Sequence, residues 1–114
     1  MSYSKGKVPC KIASGEKLQI VIAIGYGETQ GVPHTSKPMD ALCSTDIPMP
    51  DWFHKGMECA MLAPTAMNQQ KFFFALSDGK VSAKVGRAFY SRMDLGIVKY
   101  HFELGAGSNN FAWA

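Results

Sequence analysis

Leu62-Ala63-Pro64-Thr65-Ala66-Met67-Asn68-Gln69-Gln70 ends an apolar segment, and its proline decides how the chain around it is read. Proline cannot continue a helix, and the residue before it is pushed out of the α region. A helix ending here delivers Thr65, Asn68 and Gln69 into a short loop, where a hydroxyl and two amides can grip a polar, planar ligand. On these residues alone, an ordinary polar turn in which Asn68 satisfies its own backbone is the favoured reading.

Working upstream, a helix is expected from Pro50 or Asp51 to Ala63. Proline suits a first turn, and Asp51 faces the positive end of the helix dipole. Phe53, Met57, Ala60 and Met61 recur at helical spacing and form a core face. Downstream, Lys71 to Val85 reads as a hairpin, with Asp78-Gly79 as a two-residue turn. A second helix is expected from Ser91, with Ser91 and Asp94 at capping-box spacing. Met93, Ile97, Tyr100 and Leu104 fall on one face of it, and Gly105 and Gly107 offer a stop. Asn110 to Trp113 is a candidate for a last short strand.

The remaining N-terminal part is less regular. Residues 1–16 are polar and read as a loose arm, and residues 17–24 are β-branched and apolar and read as a buried strand. Residues 27–50 contain Gly31, Pro33, Pro38, Pro48 and Pro50, which is loop composition, with one helical turn expected at Met39 to Leu42.

The length of 114 residues, with 46% hydrophobic and 18% charged, suits a single domain. No apolar run is long enough for a transmembrane helix, and the N-terminus does not resemble a secretory signal. Cys10, Cys43 and Cys59 have neither disulfide-framework nor zinc spacing, which points to reduced thiols in the cytoplasm. The net charge of +3 is scattered, without a basic stripe interleaved with aromatics, so a nucleic-acid face is not expected. His54 and Glu58 stand four apart on one helix but lack a third ligand, so no metal site is read. No catalytic acid, base or nucleophile stands out.

Three segments together resemble the nitroreductase family, and most of all its tandem-repeat branch, in which a nitroreductase-like unit occurs twice. Ile22-Ala23-Ile24-Gly25-Tyr26-Gly27 with His34-Thr35-Ser36-Lys37-Pro38 resembles the strand that ends a unit and the basic residue after it. Gly56 to Gln70 resembles the opening helix and its Pro-Ser/Thr-x-x-Asn-x-Gln loop. Asp94-Leu95-Gly96-Ile97-Val98-Lys99-Tyr100-His101 resembles the central helix of the subunit interface. The closing strand precedes the opening helix, an order that suits the junction of two repeats. The family's basic opening segment, of Arg-Arg-Ser-x-Arg type, has no counterpart here. The chain thus resembles the C-terminal half of a longer protein.

The resemblance implies an α+β domain over residues 1–114, a partial nitroreductase-like fold with a small antiparallel sheet packed on two main helices. It implies FMN as cofactor, bound by Pro64, Thr65, Ala66, Asn68 and Gln69, with Lys37 on the phosphate. A solvated surface lysine is the plain alternative for Lys37. The implied activity moves electrons from NAD(P)H to small nitro or quinone-like compounds, in a homo-oligomer or together with the missing half. The alternative is a non-catalytic half-domain that binds flavin weakly or only packs against a partner chain.

Overall fold

The structure, a computed structural model, describes residues 9–114 and divides into two units, residues 1–32 and 33–114. Residues 1–8 of the expected arm lie outside the described residues. In the first unit the chain turns at Ser14-Gly15, where Glu16 N–H donates to Ala13 O over 3.1 Å and Ala13 N–H to the Glu16 carboxylate over 2.8 Å. Residues 17–24 are not the buried strand that their composition suggests. They form no ladder, and Ile20, Val21, Ile22 and Ile24 are all exposed. β-branched composition shows that a segment suits a sheet, but whether it joins one depends on its tertiary context.

Among the described residues the second unit carries the helices and strands, in the order β1 (Cys43–Thr45), α1 (Asp51–Leu62), β2 (Phe72–Ser77), β3 (Lys80–Val85), α2 (Ser91–Ala106) and β4 (Ala112–Trp113). Single 3-10 turns stand at Met39–Ala41 and Ala66–Asn68. The sheet order is β1-β2-β3-β4. The expected α+β arrangement is present, with a small sheet against two helices, but the sheet is mixed. Only β2 and β3 pair antiparallel, while β1 runs parallel to β2 and β3 parallel to β4. Parallel neighbours need a long crossover between them, and α1 and α2 supply the two. The unit is therefore two β-α-β segments joined by one hairpin. That hairpin turns at Asp78-Gly79, where both φ angles are positive (50° and 72°), as a tight I′-type turn requires. β1 was hidden in the sequence because three residues, Cys-Ser-Thr, carry no periodic signal.

Alternation along β2 turns Phe72, Phe74 and Leu76 inward, and Val81 of β3 joins them. From α1 come Phe53, Met57 and Ala60, with Met61 half-buried. On α2 the buried face is Asp94, Val98, Phe102 and Ala106, so the stripe Met93, Tyr100 and Leu104 is exposed. The turning point is Phe102. Its ring stacks on Phe74 at 4.7 Å and meets Phe53 edge-on at 5.4 Å, so one aromatic from each helix and one from the sheet close the core.

The helices approach closely through two glycines. A Cβ on Gly56 would lie 2.7 Å from the Phe102 ring, and one on Gly105 would collide with the Lys55 carbonyl oxygen. Behind them, Trp113 of β4 donates its indole N–H to Glu103 over 2.8 Å, under the Lys99 ammonium at 4.0 Å from the ring centre.

Candidate functional site

α1 ends where the proline demands. Ala63 is extended (ψ 132°), and its N–H donates to Ala60 O over 3.2 Å. The chain then passes through Pro64 and Thr65 into a turn at Ala66–Asn68. Met67, Asn68 and Gln70 all have positive φ, at 52°, 51° and 44°. For non-glycine residues such geometry is costly and persists only where surrounding bonds over-determine it. Those bonds are polar side chains gripping backbone.

Gln70 provides the tightest set. It is only 2% exposed. Its amide donates to Thr35 O over 2.8 Å and to Asn68 Oδ1 over 2.6 Å, and its Oε1 accepts from Lys37 N–H over 2.8 Å. Its own N–H donates to Thr65 Oγ1 over 3.1 Å. Asn68 Nδ2 donates to Thr35 O over 3.0 Å, and the Lys37 ammonium donates to the carbonyls of Gln69 and Gln70 over 3.0 and 3.1 Å. His34 Nε2 lies 2.9 Å from Met61 O, a further tie between the same two segments.

The third wall is α2. Asp94, 7% exposed, does not close a capping box with Ser91. Both its carboxylate oxygens accept from Ala66 N–H, over 3.0 and 3.1 Å, and Oδ2 accepts from Gln69 Nε2 over 2.7 Å. Gln69 Nε2 also donates to Phe89 O over 2.8 Å. The helix instead starts from Tyr90 in a left-handed conformation without a side-chain cap. Geometry explains the exchange: the half-buried loop N–H has no other acceptor among the described residues, whereas an exposed helix start can use water.

The structure thus gathers Lys37, Thr65, Ala66, Asn68 and Gln69 in one cluster, with Pro64 exposed at its entrance. Sequence reasoning does not single out Gln70 and Asp94 as site residues. The signal for Gln70 was available, since it stands at the last position of the Pro-Ser/Thr-x-x-Asn-x-Gln pattern. The signal for Asp94 pointed elsewhere, to its own helix start. His54 and Glu58 face each other at 3.7 Å on the exposed side of α1, and no cluster of three or more metal-ligating side chains exists among the described residues.

Two shallow, open depressions mark the surface of the described residues. One, of about 540 Å³, lies between the start of α1 and the end of α2, along Trp52, Lys55 and Asn110. The other, of about 320 Å³, borders the start of α2 along Tyr90, Arg92 and Met93. Neither of the two is lined by Lys37 or by residues 64–70; Gln70 and Asp94 are buried, while Lys37, Pro64 and Asn68 stand exposed on an open surface.

Residues 1–106 match the model of a family described as "Putative TM nitroreductase". The chain belongs to that nitroreductase family. A crystal structure from Thermotoga maritima, of "a putative nitroreductase", is similar to it with a TM-score of 0.61 at 24% identity. The likeness covers 75% of this chain and 38% of the Thermotoga chain, and at that identity it speaks to the fold. No curated protein matches the chain with significance. No helix among the described residues is long and apolar enough to cross a membrane.

Proposed function

We propose that this chain supplies a flavin-contacting surface of an FMN-dependent oxidoreductase of nitroreductase type, moving electrons from NAD(P)H to nitro or quinone-like compounds in the cytoplasm. The observation that carries this reading is the convergence of Lys37 with the Thr65–Gln70 loop, two segments more than twenty-five residues apart in sequence. Flavin, when bound, accepts and passes on a hydride, and the protein's task is binding, orientation and electrostatics.

The donors left over after the internal bonds fit such a ligand. Lys37 spends two of three ammonium protons on carbonyls and keeps one, with its charge, for an anion such as a phosphate. Asn68 spends one N–H and one lone pair and keeps one of each for the edge of a planar ring. The Thr65 hydroxyl accepts from Gln70 N–H and retains its proton. Pro64 and Ala66 offer only small surfaces, which leaves room for a ring to approach the backbone. An open surface lets solvent reach a bound ring, so this reading includes a second copy, or the remainder of a longer protein, covering the other face.

The test is the visible spectrum of the purified protein after incubation with FMN and desalting. A retained, perturbed flavin band that weakens in Lys37→Ala and Asn68→Ala is expected. A wild-type protein that retains no flavin and reduces no nitroaromatic with NADH or NADPH overturns the enzyme reading.

The open cluster, and a chain spanning 38% of the Thermotoga protein, favour one alternative: a non-catalytic half-domain. Mixing with a chain that carries the family's basic opening segment separates the two readings. Flavin retained only in the mixture identifies a half-domain.

A further inference from the structure

The candidate loop holds a conformation that its own sequence does not favour. Three of its residues, Met67, Asn68 and Gln70, are left-handed without being glycine. The turn has no side-chain cap of its own. Bonds within the loop and from residues 35–37 hold one side of it, and the other side is held from twenty-five residues downstream. The Asp94 carboxylate reaches the loop at both ends of the turn, the Ala66 N–H before it and the Gln69 amide after it. No salt bridge to Asp94 is present among the described residues, so its charge rests on N–H donors. Hydrogen bonds to an ionised, buried acceptor are about twice as strong as neutral ones.

We propose that Asp94 is the positioning residue of the candidate flavin site. Its carboxylate clamps Ala66 N–H and the Gln69 amide, and so fixes the left-handed turn that presents Asn68 outward. Gln69 completes the device. Its amide bridges the Asp94 carboxylate and the Phe89 carbonyl, so the loop is tied to the start of α2 and to the segment before it. Asp94 itself, at 7% exposure, sits behind the loop and acts on a ligand only through it. What the loop binds rests on the flavin reading above, but the clamp does not.

The experiment is amide hydrogen exchange by NMR on the full chain, paired with FMN titration, for wild type, Asp94→Asn and Gln69→Ala. In Asp94→Asn, exchange at Ala66 and Gln70 is expected to accelerate on the order of tenfold or more, the size expected for losing charge-assisted hydrogen bonds. Phe74, whose N–H donates to Leu42 O in the core, is expected to exchange as in wild type. FMN affinity is expected to fall by a similar factor, with the bound-flavin band relaxing toward that of free FMN. Gln69→Ala removes one arm of the clamp without touching α2, and decides the matter if Asp94→Asn does not fold. Unchanged exchange at Ala66 and Gln70, or acceleration there matched at Phe74, overturns the proposal. If wild type binds no FMN, the flavin reading fails, while loop exchange still decides the role of Asp94.

Discussion

The aromatic core and the 64–70 loop lie at opposite ends of α1, and different forces hold them. Around Phe53, Phe74 and Phe102 the helices and sheet are fixed by apolar contact, which is non-directional and scales with buried area. The loop buries no large apolar side chain and is fixed by directed bonds from Lys37, Gln70 and Asp94 to backbone atoms. Apolar contact tolerates small errors of position, whereas directed bonds set orientation. The difference suits a scaffold at one end and a recognition surface at the other.

Breaking the core is expected to have the largest effect. Phe102→Ala removes the ring shared by α1, α2 and β2, and a loss of about 3–5 kcal/mol in stability is expected by denaturant titration. Gly105→Ala is next. The added methyl meets the Lys55 carbonyl oxygen, which cannot step aside as a side-chain tip could, and about 1–3 kcal/mol is expected to be lost.

Gln70→Ala turns to the loop. It strips Lys37 N–H of its partner and Thr35 O of one of its two donors, both close to solvent, so a global cost of about 1 kcal/mol is expected. Exchange at the Lys37 amide is expected to rise far more than that cost implies, because the bond lost is local. An equal rise throughout the sheet would show that loop and core are one cooperative unit, and the contrast drawn here would collapse. Gly96→Ala is expected to have the smallest effect and the opposite sign. Its Cβ meets nothing within 4 Å on the outer side of α2, and a gain of about 0.5–1 kcal/mol is expected in the same titration.

The elements with a local signature were legible in the sequence. α1 follows from Pro50, Pro64 and the spacing of Phe53, Met57 and Ala60, and the hairpin from Asp78-Gly79. Elements defined by a partner were not. Residues 17–24 have the composition of a strand without a ladder, while Cys43–Thr45 has a ladder without the composition. On α2, periodicity finds a stripe but cannot say which of two adjacent stripes meets the core. Phe102, one register away from Met93, Ile97, Tyr100 and Leu104, decided that through its stack on Phe74. The candidate site divides in the same way. The residues of the Pro64 loop were visible as a cluster of polar residues after a helix stop, and Lys37 entered only through resemblance. Asp94 was visible only as a helix-start residue, because no local rule links it to a loop twenty-five residues earlier.

The Asp78-Gly79 turn also bears on the order in which the sheet is built. It pairs Ser77 with Lys80 at almost no loop length, whereas the parallel pairings Cys43↔Phe74 and Lys80↔Ala112 each close more than thirty residues of chain. Closing long loops before any contact rewards them slows folding. The hairpin is therefore expected to form first and to template both outer strands, a sequence that pulse-labelled exchange during refolding reads as early protection in β2 and β3. Each outer strand then waits for its own helix, so the two halves of this unit share a single nucleus.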